Sequence, residues 1–335
     1  MSLFKSIRTY SIKFLLLFIC IIFSKQAFGL SSGNPADPIL LSRTTWGNDS
    51  TYNLLISSSC ARSIADFKIS SRFGFSGNYI YSESAGVKEV PIILIANGPT
   101  LYKELQVNNM TIASSGATGT ITIQDTSNCF TPIWDIDLYG TIGGLSAYYR
   151  LPMAAFRIPT ALSAPTDGVI EVQTNYGFMW HLGAKKVFWK DGNSFLSGGV
   201  DYKHASCPLN YVILHQAAEP ELFIEHEDDT SNNSIGYKEW SINVGIATRV
   251  TNNLVPYVSL ATGNTYFKAG SPEKLFTQLT TAFPDLKFLM RKIKNTHHLN
   301  VNAGLSYVIQ DSASLNLEGT WGYQRAVSCH FKIQL

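Results

Sequence analysis

Residues Ala326 to Leu335 read A-V-S-C-H-F-K-I-Q-L. Val327, Cys329, Phe331, Ile333 and Leu335 are apolar, and Ser328, His330, Lys332 and Gln334 between them are polar. A period of two puts the apolar side chains on one face of a strand and the polar ones on the other. Chain ends fray, so a soluble domain gains little from an apolar strand at its last residue. A closed barrel gains more, because its final strand zips to its first and leaves no open edge. Taken alone, these residues suit the edge strand of a soluble sandwich equally well. The rest of the sequence decides.

The chain opens with Lys5, Arg8 and Lys13, then the apolar run Phe14 to Phe23, then Ala27-Phe28-Gly29. A basic start, a short apolar stretch and a small-x-small site predict an export signal over residues 1–29, with Leu30 as the new N-terminus. Ten apolar residues are too few to cross a ~30 Å hydrocarbon core as a helix. Cys20 follows Leu17, Phe18 and Ile19, which are too bulky for a lipid-modification site. The signal carries four of the 26 basic residues and none of the 24 acidic ones, leaving 22 basic against 24 acidic, a formal charge of −2. The basic character therefore belongs to the signal and argues for no nucleic-acid partner.

Alternation recurs along the mature chain. In Asp66 to Tyr81, Phe67, Ile69, Phe73 and Tyr79 oppose Lys68, Ser70, Arg72 and Asn78. Ile136, Leu138 and Ile142 alternate with Asp135, Asp137, Tyr139 and Thr141. Phe178, Trp180 and Leu182 alternate with His181 and Lys185, ahead of a turn at Lys190-Asp191-Gly192-Asn193. Leu196, Val200 and Tyr202 alternate with Ser197, Asp201 and Lys203. The same rhythm runs through Trp240 to Val250, Leu299 to Ile309 and Leu315 to Trp321.

These segments look about 9–12 residues long, the length a tilted strand needs to span a bilayer, against ~5–6 in soluble sheets. Their polar face carries Asn, Gln, Ser, Gly and charges, as a wet interior would. Tyr, Trp and Phe recur near segment ends, like an aromatic girdle. Strands in hydrocarbon must pair every backbone group, so the sheet closes on itself. The expected fold is all-β: a closed antiparallel transmembrane β-barrel over residues 30–335. At ~10 residues per strand plus turns and loops, its length suits about sixteen strands around a water-filled lumen.

Between strands, Asn108 to Gly119 (Ser/Gly/Thr-rich), Pro152 to Gly168, the acidic Ala217 to Gly236 and Phe267 to Pro284 read as loops. Pro272 to Thr281 is the best short-helix candidate, packed at the pore or the rim.

Catalytic and metal signatures are absent: there is no G-x-S-x-G, H-E-x-x-H, P-loop or dinucleotide fingerprint. His297-His298 and His226 lie in charged stretches that read as solvated turns, and no spacing matches a calcium loop. An enzyme is not expected, and neither is a cofactor. The residues with a physical task are the polar-face charges Lys68, Arg72, Asp135, Asp137, Glu171, Lys185, Arg249 and Glu318. In a wet lumen they set the field met by a permeating ion. Each serves equally well as a salt-bridge partner that fixes barrel shape. Cys60, Cys129, Cys207 and Cys329 remain after the signal; no C-x-x-C supports zinc, and export permits disulfides without pairing them.

The segment Leu30-Ser31-Ser32-Gly33-Asn34-Pro35-Ala36-Asp37-Pro38 resembles the mature start of the chlamydial major outer membrane proteins. Gly168 to Trp189, Glu239-Trp240-Ser241 with Pro256-Tyr257-Val258, and Leu299 to Leu335 are similar to that family's centre and last third. The resemblance implies an outer-membrane porin of about sixteen strands, often a homotrimer. It would pass ions and small hydrophilic solutes by passive diffusion and stiffen the envelope through disulfides. This chain departs from the family in having few cysteines, in ending on Leu335 rather than Phe, and in loops unlike the family's variable segments. It reads as a divergent member. The alternatives are a plugged structural barrel or host-contact adhesin, with Pro272 to Thr281 inside the lumen, and a secreted soluble β-sandwich.

Overall fold

The computed structural model describes residues 34–36, 67–82, 87–89, 92–94, 101–103, 108–125, 135–152, 169–215, 222–225, 234–269, 288–289, 293–295, 299–309, 312–322 and 325–334. The expected signal, Cys60, Cys129, His226, His297, His298 and the Pro272 to Thr281 helix lie outside these residues.

Among the described residues, ten long strands form the wall: β1 (Phe67–Ser82), β2 (Asn108–Asp125), β3 (Ile136–Pro152), β4 (Gly177–Asp191), β5 (Ser194–His215), β6 (Ser234–Thr248), β7 (Leu254–Ala269), β8 (Leu299–Ile309), β9 (Ala313–Gly322) and β10 (Arg325–Gln334). Each pairs antiparallel with the next. The closing strand β10 then pairs with β1, from Arg72 opposite Gln334 to Tyr81 opposite Arg325. The ring is shut, and the C-terminal alternation is the seam that shuts it.

The fold class read from sequence is correct, but the count of about sixteen is not. Strands β1 to β7 run 15 to 22 residues, so each consumes more chain than a minimal bilayer span. Asn108 to Gly119, expected as a loop, is the first part of β2 and pairs along both β1 and β3. Its Ser, Gly and Thr suit a polar inner face and close strand packing. An additional segment, Val169–Thr174, runs in line with β4 and pairs with the same two neighbours, extending that slot of the wall.

The two ends of the barrel differ. At one, Asp191–Ser194, Thr248–Leu254 and Ile309–Ala313 are tight connections. In the first of these Gly192 adopts φ 52°, a left-handed conformation that glycine takes without steric cost. At the other end Gly322–Arg325 is tight, and the remaining connections are longer and carry short strands. Val87–Glu89 pairs with Ile293–Asn295, which itself pairs with the end of β7, and Ile92–Leu94, Leu101–Lys103 and Phe288–Leu289 form a separate small sheet.

Burial follows the pleat. Phe75 is 62% exposed and Ile142 64%, whereas their neighbours Ser76 and Thr141 are buried. On β10, Ser328, His330 and Lys332 are buried and Val327 and Ile333 exposed. Apolar side chains thus cover the outside of the wall and polar ones fill the inside. A soluble sandwich would have the reverse distribution.

Candidate functional site

The inner face of the barrel is a column of charged and hydroxyl groups positioned by strand register. Near the short-turn end, Arg72 of β1 meets Asp137 of β3, with Nη2 to Oδ1 at 2.6 Å and a second contact to Oδ2. Thr122 of β2, opposite Asp137 in register, binds both side chains. Lys185 of β4 lies opposite Asp137 on its other side, and its Nζ stands 5.8 Å from the Tyr139 ring centroid. Beyond the strand ends, buried Asp135 accepts the Asp125 backbone N–H at 3.0 Å. Burial pushes its carboxyl up to about 6, against the opposing pull of that N–H and of Lys190.

Toward the middle, Tyr139, Gly183 and Asp201 lie in one row on β3, β4 and β5. Tyr139 passes over Gly183, where a Cβ would strike its ring, and its hydroxyl donates to Asp201. His181 Nε2 lies 3.1 Å from Asp201 Oδ1, and Asn243 donates to Oδ2 at 3.1 Å. The next pair is Lys203 with Glu239 at 2.6 Å, also bonded by the Tyr237 hydroxyl. A second row of the same kind joins Tyr257 on β7, Gly304 on β8 and Glu318 on β9. On the opposite, outer face of the wall toward the long-loop end, Arg150 Nη2 meets Glu171 Oε2 at 2.8 Å and Tyr211 donates to Oε1, while the neighbouring register pair Tyr149 and Val172 is buried on the inside.

Residues from outside the wall also enter the lumen. Asn34, Pro35 and Ala36 are buried. Asn34 Nδ2 donates to Ser306 Oγ of β8 at 2.7 Å, and Lys185 Nζ of β4 donates to the Asn34 carbonyl at 3.2 Å. Asn34 Oδ1 also accepts the Ala36 N–H at 3.0 Å, a local turn. Ala36 packs with Ala247, Val255, Tyr257 and Val308.

This geometry is that of a lipid-facing barrel with a polar interior. A protein named outer membrane protein B in Chlamydia pneumoniae is 37% identical, over 98% of this chain and 97% of its own. The chain belongs to the chlamydial outer membrane protein B family. The major outer membrane porin of Chlamydia psittaci is a more distant relative, 25% identical over 77% of this chain and 75% of its own. The divergent resemblance read from the sequence is therefore correct, and family membership places the chain in the outer membrane. No family model matches. The outer membrane protease OmpT of Escherichia coli aligns with a TM-score of 0.38 and 12% identity, over 83% of this chain and 99% of its own. At that score the likeness carries no argument about strand number or activity.

Within this family member, Arg72, Asp137, Lys185 and Glu318 are buried on the inner face, and Asp135 lies beyond one end; Glu171, expected in the lumen, is on the outer face beside Arg150, because the alternation does not carry from one strand to the next. Lys68 is exposed near the start of β1. Arg249 lies beyond the end of β6, in the turn, where its guanidinium donates to the Thr251 and Asn252 carbonyls. Alternation alone cannot place it better, because the period of two continues past the residue where the strand ends. Cys207 is a buried thiol whose Sγ donates to the Leu145 carbonyl, so it is in no disulfide. Cys329 is on the outer face of the wall, and Cys207 faces the lumen, so the two point to opposite sides.

Sequence named Asn34 and Glu239 only within the family resemblance, with no lumen role, and did not single out Arg150. The alternation already sets Asp201, Lys203 and His181 on the polar face; their pairing depends on register, which a single sequence does not display. Among the described residues, no three His, Cys, Asp or Glu side chains converge as metal ligands do.

Proposed function

We propose that the protein is a narrow diffusion channel of the outer membrane, passing ions and the smallest hydrophilic solutes without a cofactor. The observation that carries this is the polar interior, running from Asp135 at the short-turn end through Asp137 and Asp201 to Lys203 and Glu239, with apolar residues turned outward. Eight strands leave an interior that side chains fill, and sixteen to eighteen leave an open aqueous channel. Ten strands lie near the filled limit, which supports low conductance. By the usual arrangement the short turns face the periplasm and the longer loops the exterior.

The lumen charges support weak ion selectivity. Arg72 with Asp137 and Lys203 with Glu239 present opposite signs at the same levels. A solute thus meets locally neutral pairs rather than a ring of one sign. Tight pairing favours a second task for the same residues, a stiff wall that contributes to envelope structure. A homotrimer, implied by the family resemblance of the sequence, is part of this reading and is testable by cross-linking in detergent.

Planar-bilayer recording of the folded protein tests the proposal. Small, voltage-tolerant conducting steps with little preference between potassium and chloride are expected. A folded barrel that never conducts overturns it.

A further inference from the structure

We propose that the Asn34-Pro35-Ala36 segment is a removable plug: it lies across the lumen near the short-turn end and restricts passage until it withdraws. The proposal extends the channel reading. Its first support is how Asn34 is held. One wall contact is to Lys185 on β4 and another is to Ser306 on β8, strands four places apart in a ring of ten. A single residue bonded to nearly opposite walls lies in the path of any solute.

The second support is the form of the attachment. The strands of the wall are held by continuous ladders, whereas this segment joins no ladder and is held by discrete contacts. Its seat is mixed. Asn34 meets polar partners, and Ala36 enters an apolar notch formed by Ala247, Val255, Tyr257 and Val308. Such a contact opens without breaking any strand pair, by giving up side-chain hydrogen bonds and wetting the buried Pro35, Ala36 and the notch.

The chemistry exposed by withdrawal is consistent with a conducting path. Departure of Asn34 opens one side of the Lys185 ammonium and of the Ser306 hydroxyl to water. Ser306 retains its bond to Asn316 Oδ1, so the wall keeps its order.

The test uses the full chain in planar bilayers, with folding checked by slower migration after boiling. Ala36→Asp puts a carboxylate into the apolar notch and should expel the segment. A several-fold rise in single-channel conductance, or in open time, is expected. Unchanged conductance in the folded variant overturns the plug. A second variant covers the case in which Ala36→Asp fails to fold: Ala36→Cys with Val255→Cys, oxidised to pin the segment and then reduced. Current that falls on oxidation and returns with reductant supports the plug, and current indifferent to both overturns it. A silent parent with a conducting Ala36→Asp variant supports the plug while refuting a constitutively open channel. A conducting parent with an indifferent variant refutes the plug alone. Silence of parent and variants, all folded, refutes both.

Discussion

Tyr257 donates its hydroxyl to Glu318 at 2.5 Å by reaching over Gly304, which lies between them in register on the intervening strand. Tyr139 and Asp201 are joined over Gly183 in the same way. In each row glycine supplies the space, tyrosine fills it, and the carboxylate ties three strands together. The two rows fix the side chains of opposite arcs of the wall, and they show why inward glycines recur in strands that otherwise favour β-branched residues.

Gly304→Ala is therefore expected to destabilise the barrel. A Cβ there falls 2.3 Å from the Tyr257 ring, so the phenol must move and Glu318 loses its donor. The expected cost is about 1–3 kcal/mol, from overpacking and a lost buried hydrogen bond. Gly119→Ala, where nothing lies within 4 Å, is the matched control and should be nearly silent. Urea titration of the folded band on unboiled gels measures both.

Arg72→Met should cost about 3–5 kcal/mol, because it leaves Asp137 buried without its cation. The double variant Arg72→Met with Asp137→Leu should recover much of that loss, since apolar replacement of a whole buried pair is often neutral. The same titration reads the recovery; a double variant as unstable as the single one would show that this pair is not the local determinant.

Asp135 lies outside the strands and has its folded value raised by burial, to about 6. A raised carboxylate favours the folded state at low pH and loses that contribution as pH climbs through the folded value. Asp135→Asn retains an acceptor for the Asp125 N–H and removes the titration. Its stability relative to the parent should rise by about 1 kcal/mol between pH 5 and pH 7.5. Paired unfolding curves at the two pH values check both sign and size.

Ile142 projects outward and is 64% exposed. In water an arginine there would be tolerated. Facing lipid, Ile142→Arg is expected to cost up to about 2–4 kcal/mol, according to its depth in the bilayer. Thr141→Ser, one residue away and inward, should retain near-parent stability. Folding yield into lipid vesicles compares the two.

Much of the fold was legible in the sequence, because a period of two specifies which side chains face together. The outward row of β10 and the inward burial of Arg72, Asp137, Lys185 and Glu318 follow from that period alone. Strand number was not legible. A segment such as Asn108 to Gly119 carries weak apolar signal precisely where it lines a lumen, so β2 reads as a loop. Pairings such as Lys203 with Glu239 depend on register between strands, and Arg249 shows that alternation does not announce a strand's last residue. The lumen seat of Asn34 was invisible, since nothing in Asn-Pro-Ala distinguishes a turn in solvent from one inside a barrel.

Nitroxide scanning of residues 327 to 333 in lipid vesicles tests the central claim most directly, by comparing accessibility to oxygen with accessibility to a polar nickel complex. The account predicts oxygen-rich exposure at Val327, Cys329, Phe331 and Ile333, with immobilised, oxygen-poor labels at Ser328, His330 and Lys332. Labels at the odd positions that are shielded from lipid, with the even positions open to it, would contradict the outward-apolar barrel and the channel built on it.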